Sequence, residues 1–323
     1  MTPPRLVHDH KVPRRAVLRA AAGLVGAVAV GVLPACGQRS TAFTGPPLYP
    51  VPRAGRWGYA DADGTLVVPP RYTWADRFWG DRAVVERDGK AGYVDAAGDE
   101  TISPRFRLDN PDDTAARAFG DGLAAVRVDS QWGYVDPAGS FTIAPRFAEA
   151  GDFQAGHAYA SGDGLAFGLI DRDGGWVLEP RYPAMNDFAG GLAAHVRSGR
   201  WGFVDASGRE RIKPAYDGAG AFTGPLAPVR RDDAWGYLDI GGRVVVEPSY
   251  AEAGGFVNGH APVRAQDGLW GYLSLAGDAP TLRIPHRYDV AGPFLGPADA
   301  LLAQVRLGDD VFYIDPAGAR RLA

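Results

Sequence analysis

The residues able to do chemistry in this chain are acids, histidines and tryptophans, and their spacing decides what that chemistry would be. Asp61, Asp95, Asp136, Asp171, Asp205, Asp239 and Asp315 recur at one position of a repeating pattern. A carboxylate array could gather a metal. Asp61-Ala62-Asp63-Gly64 and Asp171-Arg172-Asp173-Gly174 resemble the start of calcium loops but lack the later acidic ligand. Segments such as Asp136-Pro137-Ala138-Gly139 instead have the chemistry of a type I turn, with Asp first, Pro second and Gly fourth. That turn role accounts for all the aspartates, and no metal or cofactor is expected. His157 and His260 share a position otherwise held by Leu, His195 falls one strand position on, and His286 sits beside a repeated proline. Their shared register makes them variants of the repeat rather than a zinc site. There is no His-Glu-x-x-His, no cysteine pair and no Gly-x-Ser-x-Gly, so no catalytic residue is assigned.

Three tryptophans lie outside the repeated motif: Trp74, Trp79 and Trp176. Free of scaffold duty, they are the candidate binding residues. Asp76, Arg77, Asp81 and Arg82 surround the first two, a mixed-charge neighbourhood suited to peptide or glycan. The alternative is that these loops simply tuck onto a sheet.

The elements that must position these side chains are repeats. Trp57-Gly58-Tyr59, Trp132-Gly133-Tyr134, Trp201-Gly202-Phe203, Trp235-Gly236-Tyr237 and Trp270-Gly271-Tyr272 are strong copies. Ala91-Gly92-Tyr93, Phe167-Gly168-Leu169 and Val311-Phe312-Tyr313 are weaker ones. Successive motifs at 167, 201 and 235 are 34 residues apart, a period typical of stacked or radial repeats. An aromatic follows at Tyr72, Phe106, Phe147, Tyr182, Tyr216, Tyr250 and Tyr288, each just after a proline. A phenylalanine follows in turn at Phe78, Phe119, Phe153, Phe188, Phe222, Phe256 and Phe294. Arg71, Arg105, Arg146, Arg181 and Arg287 precede the first aromatic, to cap its ring or bridge units.

This pattern resembles the WG-repeat family, also called KWG repeats, over roughly residues 48–323. Each unit reads as about three short strands. A Trp-Gly-Tyr strand puts Trp and Tyr on one face, a return strand stops at the proline, and a Gly-Leu-Ala-like strand leads into the next motif. The glycine is expected to admit a close neighbour. Leu48-Tyr49-Pro50-Val51 matches a third strand and Phe312-Tyr313-Ile314-Asp315 a first, so the two termini together supply parts of a unit. The fold class expected is all-β: a closed β-propeller-like ring of about eight units, completed by both termini, which removes exposed edges. An open β-solenoid array is the alternative.

The N-terminus reads as an address. Arg14-Arg15-Ala16-Val17-Leu18-Arg19 resembles a twin-arginine export signal. An apolar run from about Ala20 to Leu33 follows, the length of a signal h-region rather than a membrane span. Leu33-Pro34-Ala35-Cys36 resembles a lipobox, which implies cleavage before Cys36 and a diacylglycerol on its thiol. Residues 1–35 are thus expected to be signal peptide, 36–47 a lipidated N-terminus and linker, and 48–323 the repeat domain.

Composition sets the outer bounds. The 323 residues hold 44 Gly and 26 Pro, favouring short strands and turns. Cys36 is the single cysteine, so no intrachain disulfide can staple the fold. A net charge of −4 gives no electrostatic footprint for nucleic acid. The expectation is a non-catalytic lipoprotein, held at the outer face of a cell membrane, whose repeats meet an unidentified protein, peptide or envelope glycan. The alternatives are a secreted propeller-type hydrolase or lyase and a structural subunit of an envelope assembly.

Overall fold

The computed structural model of the chain describes residues 47–108, 114–275, 279–296 and 298–322. Residues 1–35 expected as signal peptide, with Arg14, Arg15 and the lipobox-like Leu33-Pro34-Ala35-Cys36, lie outside the described residues, as does an acidic segment with Asp109, Asp112 and Asp113.

Everything described is strand or turn. Eight small antiparallel sheets follow one another along the chain, each a meander of three or four strands. We number the sheets in chain order. The first spans 49–72, the second 74–107, the third 124–147, the fourth 149–182, the fifth 193–216, the sixth 218–250, the seventh 252–288 and the eighth 290–314.

Each sheet is offset from the sequence repeat. Among the described residues, five of the eight open with a two-residue inner strand such as Trp74–Ala75 or Gly218–Ala219, and the first has none. The Gly-Leu-Ala-like strand, the Trp-Gly-Tyr strand and the return strand then follow. The inner strand shortens to a single bridge, Ala116 to Val126 and Met185 to His195, in the third and fifth sheets. Nothing in the sequence pattern signals it, because two paired residues leave no alternation to read.

The return strand does not stop at its proline. In the first sheet it runs Leu66–Tyr72 and carries the first repeat aromatic, so only the phenylalanine lies on a loop. Val68 pairs with Tyr59 and Tyr72 with Trp57, leaving Pro69, Pro70 and Arg71 all across from Gly58. The strand bulges there, and a proline without an N–H fits a bulge where no ladder bond is needed.

That bulge explains the glycine. A Cβ on Gly58 would stand 2.3 Å from the Val68 carbonyl oxygen, and one on Gly236 2.3 Å from that of Val246. Gly133, Gly202 and Gly271 face the same carbonyl at 2.5–2.6 Å. No side chain fits under a backbone oxygen at such distances.

The core lies between successive sheets rather than within them. Trp57, Tyr59 and Tyr72 of the first sheet pack on Ala75, Ala83 and Val85 of the second. Tyr59 meets Phe78 edge-on at 4.9 Å, and Tyr237 meets Phe256 at 5.0 Å. The tyrosine hydroxyl then straps each sheet to the next. Tyr59 donates to Asp76 O (2.7 Å), Tyr93 to Arg117 O (2.7 Å), Tyr134 to Gly151 O (2.8 Å), Tyr237 to Gly254 O (2.7 Å) and Tyr272 to Gly292 O (2.8 Å). Burial raises the pKa of Tyr59, Tyr134, Tyr237 and Tyr272 well above the ordinary phenol value, so each remains a donor. Between the fifth and sixth sheets, where Phe203 has no hydroxyl, Asn186 Nδ2 donates to Ala219 O at 2.7 Å instead.

The last sheet touches the first. Tyr313 donates to Pro50 O at 2.9 Å, its ring meets Tyr49 edge-on at 5.3 Å, and Tyr49 donates to Ala300 O at 2.5 Å. Tyr49, Leu302, Tyr313 and Leu322 form a small buried cluster at this seam.

Candidate functional site

A cleft of about 250 Å³ opens at the seam. The first sheet is the one sheet whose Gly-Leu-Ala-like strand has no inner strand beside it among the described residues. In the second sheet Asp76 N–H donates to Val84 O, and in the seventh Gly254 N–H donates to Pro262 O. The equivalent carbonyl of the first sheet is Pro50 O, which Tyr313 reaches instead. The cleft occupies the place of the missing inner strand and loop. Its walls are the flanking loops, Asp76 to Gly80 of the second sheet and Gly292 to Gly296 of the eighth, with Pro50 and Pro52 below. Both prolines lack an N–H, so this edge offers an incoming strand only acceptors.

The lining is mostly apolar. Trp74 and Trp79, two of the sequence-derived candidates, both line the cleft. Trp79 is buried and Trp74 half-buried, with the Arg77 guanidinium 5.7 Å from the Trp79 ring centre. An apolar cavity of about 150 Å³ already takes a benzene ring. This one suits an aromatic side chain with some backbone. Trp176, the third candidate, is far from it in the fold. It lies on the return strand of the fourth sheet, against Phe147 of the third at 5.8 Å.

A second feature, a polar cluster, was not among the candidates drawn from the sequence. Arg117, Asp152, Asp187, Glu149 and Tyr159 gather where the third, fourth and fifth sheets meet. Asp187 Oδ1 accepts the Asp152 N–H at 3.1 Å, and Arg117 Nη2 stands 3.5 Å from the Tyr159 hydroxyl. Burial opposes the charge on Arg117, but Tyr159, Asp152, Asp187 and Glu149 more than offset it and hold its pKa above the ordinary guanidinium value. Burial pushes the Tyr159 phenol up to about 12, with Arg117 pulling the other way. Arg117 partly offsets the three carboxylates at this sheet junction. Asp152 and Asp187 occupy the loop position just before the repeat phenylalanine, taken by Ala221 and Gly255 elsewhere. Aligning that position would have exposed the pair.

The recurring residues turn out to serve architecture. Asp239 Oδ1 accepts the N–H groups of Gly241 (3.0 Å) and Arg243 (2.9 Å), and Asp61 and Asp136 close their turns in the same way. Those bonds hold the Asp239 carboxyl below its ordinary pKa. Trp57, Trp132, Trp201, Trp235 and Trp270 are all buried in the repeat core. Arg287 caps the Tyr288 ring at 5.0 Å and donates to Gly318 O of the next sheet at 2.9 Å. Arg71 and Arg146 do the same toward Gly98 and Gly174. The histidines are dispersed over the fourth, fifth and seventh sheets: His157 against Phe188, His195 buried against Tyr182, and His260 and His286 on different strands of the seventh, against Phe294 and Tyr250. Among the described residues no group of three acids, histidines or cysteines could hold a metal.

Sheets of this pattern and motif define a tandem β-repeat protein. The WG containing repeat family matches residues 57–90, 132–164, 167–194, 201–233 and 235–270, just over half of the chain. The chain belongs to the WG-repeat family. No curated protein matches it in sequence. Several solved structures are similar in fold. The computationally designed Ika8 protein shares 15% identity at a TM-score of 0.52, covering 86% of this chain and 99% of its own. Apo AztD from Citrobacter koseri shares 12% at 0.52, covering 85% and 93%. A eukaryotic initiation factor shares 10% at 0.50, covering 90% and 89%. At such identities the likeness is one of fold alone.

Proposed function

We propose that this protein is a non-catalytic, membrane-anchored platform. It is exported, carries a lipid on Cys36, and closes its eight sheets into a propeller-like ring that presents a surface to a protein, peptide or envelope glycan. Closure is supported by the Tyr313 strap, in which a motif tyrosine again donates to a carbonyl of the neighbouring sheet, here Pro50 O of the first sheet in place of an inner-strand carbonyl. The address is supported by the order of arginine pair, apolar run and Leu33-Pro34-Ala35-Cys36.

The observation that carries the binding role is on the outer strands. Leu66, Phe141, Val177 and Leu282 are exposed there, each on the return strand of a different sheet. Spread around the outer edge, they offer a partner repeated apolar contacts that the fold itself does not use. The test is capture from membranes with the lipid-anchored protein and with a variant carrying Leu66→Ser, Phe141→Ser and Leu282→Ser. A partner recovered by the parent and lost by an equally stable variant is the expected result. Recovery of no partner, together with turnover of a glycan library, would favour the hydrolase alternative.

A further inference from the structure

The loop phenylalanine stands in seven sheets: Phe78, Phe119, Phe153, Phe188, Phe222, Phe256 and Phe294. In the second, third, fourth, sixth, seventh and eighth sheets it packs on the motif aromatic of the sheet before. The first sheet supplies none from its described residues. Tyr49 covers one side of Tyr313, at a position that is Ala in every other sheet, for example Ala83, Ala227 and Ala303. The cleft nevertheless remains beside it, walled by the second-sheet and eighth-sheet inner loops. Those are the neighbours that a first-sheet inner loop would have.

The chain carries a segment of the right chemistry immediately before the cleft. Ala42-Phe43-Thr44-Gly45-Pro46 repeats Ala221-Phe222-Thr223-Gly224-Pro225 of the sixth sheet residue for residue. Leu48, Pro50 and Val51 then match Leu226, Pro228 and Val229, with Pro47 as one extra residue. An extra residue is tolerable at this turn, since Thr223 bridges Leu226 in the sixth sheet but Leu295 bridges the more distant Leu302 in the eighth. Pro47 itself already lines the cleft.

We infer that residues 40–46 of the chain itself fill the seam cleft, with Phe43 as the eighth aromatic wedge against Tyr313. The segment is then the inner element of the first sheet rather than a linker. Phe43 is seven residues from Cys36, a reach of at most roughly 25 Å. Resting on the lipoprotein reading, this holds the lipid at the rim of the seam and turns that face of the platform toward the membrane. The cleft is closed to an outside peptide while the segment is seated, so a partner meets the platform elsewhere.

Hydrogen exchange on the lipidated full-length mature chain in detergent tests the docking directly. The amides of 41–45 are expected to exchange about 100-fold or more slowly than an unstructured peptide. Phe43→Ala is expected to lower the Tm about as much as Phe256→Ala and to speed exchange in 292–296. Random-coil exchange at 41–45, or a Phe43→Ala variant that melts with the parent, overturns the inference. If the variant does not fold, exchange in the parent protein decides alone. Protection that appears only in a dimer, by light scattering, would assign the segment to a second copy and overturn the intramolecular docking. Mass spectrometry of the N-terminus decides the lipid separately: an unmodified Cys36 removes the membrane orientation and leaves the docking untouched.

Discussion

The junction between the seventh and eighth sheets and the seam between the eighth and first do the same job with different parts. At the ordinary junction Trp270, Tyr272 and Tyr288 pack on Ala291, Phe294, Ala303 and Val305, and Gly271 lies under a bulged return strand. At the seam the buried cluster shrinks to Tyr49, Leu302, Tyr313 and Leu322, and the eighth sheet's motif carries Phe312, packed back on the seventh sheet, where the glycine should be. The difference follows the return strand. In the eighth sheet only its start is described: Arg320 bridges Ile314, and Leu322 O accepts the Tyr313 N–H at 2.8 Å. Among the described residues no bulge like the one opposite Gly271 follows, and a large side chain stands at the glycine position. Phe312 fills that space, 6.3 Å from the Tyr288 ring, with the Arg320 guanidinium 4.3 Å above it. The glycine of the motif is therefore a property of the bulge opposite, not of the Trp-Gly sequence.

Substitutions at that one position break the comparison most sharply. Gly236→Ala forces the Val246 carbonyl or the whole return strand to move, and is expected to cost about 4 kcal/mol, among the larger single-site losses. Urea unfolding measures it, and a loss under about 1 kcal/mol would mean the bulge yields freely. Phe312→Ala is expected to cost about 3 kcal/mol through a cavity rather than a clash. Calorimetry that finds the alanine neutral would show that Phe312 is not packed against Tyr288 of the seventh sheet in solution.

The straps come next. Tyr272→Phe leaves the buried Gly292 carbonyl short of a donor and is expected to cost about 1.5 kcal/mol. Tyr313→Phe is expected to cost about 1 kcal/mol, because Pro50 O can still accept from a backbone N–H as its equivalents do in other sheets, or from water where the cleft is open. Denaturant unfolding of the two variants side by side makes the comparison. A zero at Tyr313 beside a loss at Tyr272 would leave the first and last sheets unjoined.

What the sequence showed was whatever repeats with an alternation long enough to see. The Trp-Gly-Tyr strand, its Asp turn and the spacing of 34 at motifs 167, 201 and 235 were legible, because each rests on local chemistry: glycine under a carbonyl, a carboxylate on turn amides. The inner strand was not, since Trp74–Ala75 is too short to show a period. The return strand was cut short at Pro70 because a proline normally ends a ladder, and only the pairing of Tyr72 with Trp57 reveals a bulge. Of the site, Trp74 and Trp79 were picked out as tryptophans off the motif, but their meeting with Tyr313, some 240 residues on, needs the fold. Asp152 and Asp187 could be found by aligning the residue before the loop phenylalanine, but their meeting with Arg117 of another sheet needs the fold.

The smallest effect is a pH dependence, and it separates a buried repeat position from the exposed turns. His195 lies in the fifth sheet, fully buried against Tyr182. Burial lowers its pKa below 6.5, with Arg197 and Arg181 adding to the effect and Glu210 opposing it. The folded state therefore holds His195 neutral while the unfolded chain takes up a proton as pH falls through 6.5. Stability from this group is intact above that pH and declines below it, until the folded-state pKa is passed. His195→Phe removes the linkage, so the loss of stability between about pH 7 and 5 is expected to be shallower than in the parent. The turn carboxylate of Asp239 acts lower. Held below its ordinary carboxylate pKa of 3.8, Asp239 contributes stability above that pH and loses it on further acidification. A parent and a His195→Phe variant with the same slope between pH 7 and 5 would show that water or a neighbour reaches this imidazole, and that the fifth sheet is more open than its packing implies.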